Sequence, residues 1–350
     1  MLENNINTNS AVMQSKVNRI VWFDFAKLVA IYLVLFGHSL QYLQPNIDPH
    51  NNYMWMFIYS FHMPLFMLIS GYFSYNILQV DFHVLFKKKA IQLIVPCVIW
   101  GAIWYLLKIF LTYNGVECIQ DNLLQDIKWL TFDVLWFLKS LFLCVLLCFV
   151  FRQSIWLLVL SVILAQVMPF KMPSMYPCFL IGLLCHHIRF FDKIDLKYMM
   201  LLIVLFAVLY YFFKPRHMQT SLRSTANGIL SGDFMPFLLE LWRRLYCLLT
   251  GIMGSLAVIS LCKMSAQFLN NSSIWRIISE YGSQTQAVYI LHGPIMVYGI
   301  AYFVSLDSLD INLFNIIVCP MIAIVLLLFC LFLINQFSPK LRKILFGSSN

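Results

Sequence analysis

One apolar stretch near the start of the chain carries three side chains that could do chemistry. It reads FDFAKLVAIYLVLFGHS, residues 23 to 39, and holds Asp24, Lys27 and His38 among alanine, valine, isoleucine, leucine and phenylalanine. A charge in such surroundings is costly unless it has a partner or a task. These three residues are therefore either a packing device or part of a site.

Helix geometry puts all three side chains on one face. At about 100° per residue, His38 lies only about 20° around the axis from Lys27 and about 40° from Asp24. With about 1.5 Å rise per residue, Lys27 and His38 are about 16 Å apart along the axis. The alternative for Asp24 and Lys27 is an ion pair that locks packing. A lone membrane histidine is often only an interhelical hydrogen-bond former.

The second apolar run, NYMWMFIYSFHMPLFMLISGYF, carries His62, Pro64 and Ser70-Gly71. Proline frees backbone carbonyls, which membrane helices tolerate where those groups line a protein cavity. Ser70-Gly71 permits the close approach of another backbone or of a ligand. Taken alone, these features also fit an ordinary kinked helix that packs through small residues.

Two later runs add polar side chains at similar depth. MPFLLELWRRLYCLLTGIMG carries Glu240, Arg243 and Arg244, and QAVYILHGPIMVYG carries His292. Glu240 can pair with either arginine along one helix face, and an intramembrane arginine left over favours an anionic ligand or a watery cavity. We predict one shared cavity, and we favour Arg243 over Arg244 for facing it. The residues that we expect to line this cavity are His38, His62, Arg243 and His292.

Composition indicates the surroundings of these side chains. The 350 residues are 61% hydrophobic and 11% charged, and the mean hydropathy is +0.80. In soluble domains, about 45–50% of the residues are apolar and about 25% are charged. A globule could not bury so much apolar surface, so we predict an all-α polytopic membrane protein. A helix crosses a bilayer in about 20 residues. We predict ten spans: roughly 20–43, 53–76, 90–113, 134–151, 154–169, 174–190, 198–213, 235–262, 283–304 and 312–335.

Charge asymmetry predicts the orientation. If the N-terminus is inside, fourteen lysines and arginines fall in inner segments and five in outer ones, while the outer connection at 114–133 is acidic. Positive charge marks cytoplasmic loops, so we expect a cytoplasmic tail at 1–18, a transmembrane domain at 19–338 and a second cytoplasmic tail at 339–350. The net charge of +9 is then explained without nucleic acid. The ten cysteines show no disulfide or metal spacing.

Several motifs, in this order along the chain, resemble the acyltransferase family 3 of membrane O-acyltransferases, and most closely its fucose 4-O-acetylase-like branch. They are FDFAKLVAIYLVLFGHS, FHMPLFMLISGYF at 61–73, LWFL at 135–138 with Trp136, and YILHGP with His292. In the family's first helix a basic residue precedes an invariant histidine, and Lys27 and His38 match these two residues. Asp24 matches the family's acidic residue. Much of the family has arginine where this chain has Lys27, so a bidentate contact is lost.

The resemblance implies an enzyme of the bacterial inner membrane that moves an acyl group, usually acetyl, from cytoplasmic acyl-CoA to a hydroxyl of a glycan or glycoside. Such chemistry needs a base and a positive group that holds the donor. His38 suits the first role and Lys27, held by Asp24, the second. Acyl-CoA is then a co-substrate, with no permanently bound cofactor and no metal. The acceptor is a glycan or lipid-linked sugar.

The competing interpretation of the polar path is a transporter or flippase for a glycan or an anionic solute. Membrane histidines and a polar path would serve such a protein equally well. We see no paired half-repeats in the sequence, which favours the enzyme. A purely structural or sensory membrane protein is disfavoured by the clustered charges.

Overall fold

The chain folds into a bundle of helices. The computed structural model describes residues 20–114, 123–218, 234–268, 273–301 and 304–347, and within these ranges it contains helices and no strands. The predicted all-α class is therefore confirmed. The predicted N-terminal tail at 1–18 lies outside the described residues.

The helices alternate between long apolar rods and short connecting turns. In chain order, the α-helices are α1 Val21–Tyr42, α2 Tyr53–Ser74, α3 Phe82–Lys89, α4 Val95–Tyr113, α5 Leu123–Lys128, α6 Trp136–Phe151, α7 Ile155–Ala165, α8 Met172–His187, α9 Leu196–Tyr211, α10 Pro215–Met218, α11 Phe234–Phe268, α12 Ser273–Gly282, α13 Thr285–Gly293, α14 Ile311–Leu313, α15 Cys319–Gln336 and α16 Pro339–Phe346. Wider π-helical segments join α3 to α4 (Ala90–Ile94), continue α5 (Trp129–Asp133), continue α13 (Pro294–Ile300) and join α14 to α15 (Phe314–Val318).

Length and composition make the chain a multi-pass membrane protein. Among the described residues, five helical stretches are long and apolar enough to cross a membrane, or six if a bent pair counts as one span. The ten predicted runs each overlap a helix, but α7 and α9 are shorter apolar helices, and the number of ten spans stays a prediction. Large apolar side chains such as Val98, Leu106 and Phe110 are more than 60% exposed, which suits a lipid surface.

Helix α2 lies at the centre of the bundle, where it packs against α1, α8 and α11. Its contact with α8 is backbone to backbone. A Cβ added at Gly71 would lie 1.9 Å from the Phe179 carbonyl oxygen, and one added at Gly182 would lie 1.9 Å from that of Leu68. Small residues allow such close packing between membrane helices. Ser70-Gly71 was predicted to approach either another backbone or a ligand. In the structure, Gly71 meets another backbone.

A bent pair of helices replaces part of the connection that we predicted as an acidic outer loop at 114–133. Helix α5 with its π extension meets α6 at a bend of 60°. Leu135, which lies at the bend, has a left-handed backbone with φ of 49°. The prediction of a plain loop is therefore wrong for residues 123–133, whereas 115–122 lie outside the described residues.

Two lysines hold this bent pair in place. Lys108 of α4 forms a buried ion pair with Asp126 of α5. Lys139 of α6 donates to the carbonyl oxygens of Leu130 (2.9 Å) and Thr131 (2.7 Å). A cation at these carbonyls satisfies groups that a helix end leaves unpaired.

The last helix folds back onto the bundle. The indole of Trp100 in α4 donates to the Leu345 carbonyl at 2.9 Å, and the Gln286 amide in α13 donates to that of Phe346 at 2.9 Å. Gly347 then ends α16 with a left-handed φ of 63°, as helix C-caps commonly do. Much of the predicted tail at 339–350 is therefore an integral part of the fold.

Candidate active site

Three histidines from three helices meet at the end of the bundle where α1 ends and α2 begins, which we call the α1–α2 end. His38 lies on α1, His62 on α2 and His292 on α13. The rings of His38 and His292 are stacked, with centroids 5.1 Å apart. Tyr59 lies between the first two, with its ring 4.6 Å from that of His62 and its hydroxyl 3.4 Å from His38 Nδ1.

Hydrogen bonds determine which ring nitrogen of two of these histidines carries a proton. His62 Nδ1 lies 2.8 Å from the Ile58 carbonyl oxygen, and His292 Nδ1 lies 2.6 Å from that of Tyr289. A carbonyl can only accept, so both Nδ1 atoms are donors. In the neutral imidazole this leaves Nε2 as the nitrogen that accepts a proton.

His38 is held in the same tautomer through one more residue. The Tyr59 hydroxyl donates to Gln41 Oε1 at 3.0 Å. Its single hydrogen is then engaged, and its oxygen is available to accept from His38 Nδ1. Gln41 and Tyr59 thus hold His38 in the tautomer whose Nε2 can act as a base.

These side chains open into a cavity of about 1230 Å³. Its volume exceeds the range of about 300–1,000 Å³ that is common for ligand pockets. Aromatic rings make up much of its wall, and polar groups interrupt them. The aromatic residues are Tyr42, Trp55, Tyr59, Trp104, Trp129, Phe132, Trp136, Phe170 and Tyr289, and the polar ones include His38, Gln41, His50, His62, Asp133, Lys171, His217, Arg244 and His292.

Part of the cavity wall has an unusual backbone. Among the described residues other than glycine, four have a left-handed φ, and Leu135, Phe170 and Lys171 of these line the cavity. Such conformations cost about 1–3 kcal/mol each and cluster at functional sites. The Lys171 ammonium lies 4.4 Å from the ring centre of Trp136. Trp136, which the LWFL motif predicts at the site, therefore lies on the cavity wall beside a cation.

The structure corrects the choice between the two arginines. Arg244 lines the cavity, and Arg243 is not among the residues of its wall. Arg244 Nε donates to Glu240 Oε1 at 3.1 Å. Glu240 is buried, and its pairing four residues along α11 turns Arg244 toward the cavity and Arg243 about 100° away. Neither Glu240 nor Ser70 belongs to the cavity wall as the described residues define it.

Lys27 and Asp24 form a separate polar group at the opposite end of α1. Lys27 Nζ lies 2.9 Å from Asp24 Oδ1, and the Ser279 hydroxyl of α12 donates to Asp24 Oδ2 at 3.1 Å. The Lys27 side chain keeps 26% of its surface exposed and lies 5.0 Å from the ring centre of Phe73. This pair does not line the histidine cavity, and it ties α1 to α12.

Several cavity residues escape the sequence prediction. Trp55 and Tyr59 share one face of α2 with His62, at spacing i, i+4 and i+7, and that spacing was the available signal. His217 accepts at Nδ1 from the Lys214 backbone N–H at 2.8 Å. Burial lowers the pKa of His217, and the charge of Arg216 lowers it further. This imidazole is therefore neutral at pH 7.

The three converging histidines do not make a metal site. Within the described ranges, no group of three or more histidine, cysteine, aspartate or glutamate residues is arranged to hold a metal ion.

Two π-helical segments, Trp129–Asp133 and Pro294–Ile300, contribute to the cavity wall. Such wide turns occur frequently at functional sites.

The fold and the cavity define a class: a multi-pass helical membrane protein with a large histidine-bearing cavity among its helices. Residues 20–334 match the family model described as acyltransferase domain. The chain therefore belongs to this acyltransferase family.

Two similar proteins share one name. The nodulation protein NolL of Mesorhizobium japonicum is 34% identical over 183 residues, and that of Sinorhizobium fredii is 35% identical over 182 residues. The alignments cover 48% of this chain, and 48% and 49% of the two relatives. The chain thus spans about half the length of the curated relatives that it matches. No solved structure matches the chain significantly.

Proposed function

We propose that the protein is a membrane O-acyltransferase that moves an acyl group, in the first instance acetyl, from acyl-CoA to a hydroxyl of a glycan or glycoside. The observation that carries this proposal is the cavity at the α1–α2 end, in a chain of the acyltransferase family. It is large enough for a sugar ring, and its imidazoles have a nitrogen able to take a proton. The aromatic wall supplies flat apolar surfaces for the C–H faces of a sugar.

His38 acts as the general base in this reaction. Its Nε2 takes the proton of the acceptor hydroxyl while the hydroxyl oxygen attacks the thioester carbonyl. The new carbon–oxygen bond forms, and the carbon–sulfur bond breaks to release the CoA thiolate. The proton on His38 then passes to the thiolate, which restores the neutral imidazole. Gln41 and Tyr59 support the role because they hold the required tautomer.

Lys27 engages the acyl-CoA at the other end of α1. Its ammonium is partly exposed and Asp24 holds it in place, so it offers a point charge to phosphate or carbonyl oxygens of the donor. The two positions are about 16 Å apart along α1. The donor's extended pantetheine arm therefore has to carry the thioester from Lys27 toward His38.

The proposal includes an orientation. We place ten spans in the bacterial inner membrane with both termini in the cytoplasm, so that Lys27 faces the cytoplasmic acyl-CoA and the α1–α2 end faces outward. The fourteen-to-five split of positive residues supports this arrangement. The short α7 and α9 cross with the help of their flanking turns.

Purified protein incubated with radiolabelled acetyl-CoA and a panel of glycosides tests the proposal. We expect label in the glycoside fraction, as an ester that mild alkali releases. His38→Ala, compared with His186→Ala outside the cavity, serves as the matched control pair. A protein that binds glycosides but leaves all label in acetyl-CoA would instead support the transporter interpretation.

A further inference from the structure

Trp55 carries a hydrogen-bond donor that no described residue accepts with full hydrogen-bond geometry. The residue is 6% exposed and belongs to the wall of the histidine cavity. Its buried indole Nε1–H meets no acceptor among the described residues. Nearly all buried polar groups in proteins have a partner, and each exception calls for an explanation. A donor buried on a cavity wall is explained most simply by a ligand.

Two neighbouring rings pack against the Trp55 side chain. Its ring is stacked on Tyr59, with centroids 3.9 Å apart and an interplanar angle of 20°. The Tyr59 ring lies against the indole, but no acceptor among the described residues meets Nε1–H with full hydrogen-bond geometry. His50 packs against another part of the ring at 5.0 Å. The side chain is thus held between the rings of Tyr59 and His50.

The backbone under Trp55 is equally fixed. Asn52 caps α2, and its Oδ1 accepts from the backbone N–H groups of Met54 (3.0 Å) and Trp55 (3.2 Å). The amide nitrogen of Asn52 donates in turn to Asn315 Oδ1 at 2.9 Å. The first turn of α2 is therefore anchored to the segment that leads into α15. A donor on such a rigid support is preorganised for binding.

The position of Trp55 relates it to the acceptor and not to the acyl donor. Along α2 it lies one turn, about 6 Å, from Tyr59 and about 10 Å from His62, toward the α1–α2 end. Lys27, where the donor is proposed to bind, is at the other end of α1. The indole is uncharged and can only donate, so it can pair with a hydroxyl or ring oxygen of a sugar without any charged partner.

We propose that Trp55 forms a subsite for the sugar acceptor, in which Nε1–H donates to a hydroxyl or ring oxygen while the stacked Trp55–Tyr59 pair borders the sugar ring. The subsite lies about one helical turn from the Tyr59–His38 contact. In naming the sugar as an acceptor, the proposal rests on the proposed function. The binding of the sugar itself can be measured without any transfer.

The direct test compares Trp55→Phe with Trp100→Phe in purified full-length protein. Each variant removes one indole N–H and keeps a large ring, but the Trp100 N–H already has a partner, the Leu345 carbonyl. The probes are methyl α-L-fucoside, methyl β-D-glucoside and N,N′-diacetylchitobiose, with affinity measured by calorimetry. Trp55→Phe should raise the Kd of the bound sugar about tenfold, because its donor is satisfied only in the complex. Trp100→Phe should leave the Kd unchanged.

Thermal unfolding of the sugar-free proteins gives a second readout. Trp55→Phe should leave the melting temperature unchanged or raise it, because it removes an unsatisfied buried donor. Trp100→Phe should lower it, because the Leu345 carbonyl loses its partner. Unchanged sugar affinity in Trp55→Phe would overturn the proposal, and so would a wild-type protein that binds none of the three probes.

The same preparations separate this proposal from the proposed function. If the sugar binds through Trp55 but no acetyl group is transferred, the transferase assignment fails and the subsite stands. If Trp55→Phe binds sugar normally but loses affinity for acetyl-CoA, the donor carbonyl is the partner of the indole, and the acceptor subsite is refuted.

Discussion

Tyr59 connects two residues that would otherwise act separately. Its hydroxyl donates to Gln41 and lies against His38 Nδ1, so the hydroxyl acts on the reaction through the orientation of His38. Tyr59→Phe should lower kcat about tenfold, the value of one good hydrogen bond, with little change in KM. Steady-state kinetics beside Tyr75→Phe, whose hydroxyl lies near His187, measures this. A changed KM with an intact kcat would show that the Tyr59 hydroxyl binds substrate and does not orient His38.

Lys27 gives a prediction with opposite outcomes for two substitutions. Lys27→Arg should keep substantial activity because the charge and its pairing with Asp24 survive. Lys27→Ala should lose acyl-CoA affinity, and it should also melt earlier because it leaves the buried Asp24 carboxylate without its cation. Acyl-CoA titration and thermal unfolding measure the two effects separately. Wild-type acyl-CoA affinity in Lys27→Ala would reduce Lys27 to a packing partner of Asp24.

At the scale of elements, the Lys108–Asp126 pair positions one wall of the cavity. It fastens α5 to α4, and Trp129, which lines the cavity, follows on the same segment, 5.0 Å from the Lys108 ammonium. Lys108→Met leaves a buried carboxylate unpaired and should destabilise the protein by about 3–5 kcal/mol. The double variant Lys108→Met/Asp126→Leu should recover most of that loss, as thermal unfolding would show. A double variant as unstable as the single one would contradict this account.

Sequence spacing predicts contacts within one helix but not contacts between two helices. An i, i+3 spacing is enough to predict that Asp24 and Lys27 meet, because one helix fixes both positions. The contact between Lys108 and Asp126 joins two helices, and no periodicity within either predicts it. For the same reason we predicted an acidic outer loop at 114–133, whereas residues 123–133 form part of a bent helical pair.

The depth of a residue in the membrane is easier to infer from the sequence than the direction in which its side chain points. Counting residues along each apolar run predicts that His38, His62 and His292 reach one cavity, which is where the structure has them. A shift of one residue turns a side chain by about 100°, and Glu240 could pair with Arg243 or Arg244 equally well on spacing alone. The choice depends on how α11 packs against its neighbours, which the sequence pattern does not contain.

For the whole molecule, the proposed function depends most on the orientation of the chain in the membrane, because Lys27 has to face the cytoplasmic acyl-CoA. In a Cys118→Ser background, Asn114→Cys at the end of α4 should react with a membrane-impermeant maleimide on intact cells, and Lys88→Cys at the end of α3 only after lysis. The nine described cysteines are largely buried, which keeps background labelling low. The reverse pattern would invert the topology and separate Lys27 from cytoplasmic acyl-CoA.

The central claim is that acyl transfer takes place in the histidine cavity with His38 as the base. The most direct measurement is the rate of acetyl transfer from labelled acetyl-CoA by His38→Ala, beside wild type and His186→Ala at equal amounts of folded protein. The account predicts a loss of about 10²–10⁴-fold, the contribution of a general base, with normal acyl-CoA binding and with His186→Ala near wild type. Near-normal transfer by His38→Ala would contradict it and leave His38 as a packing residue.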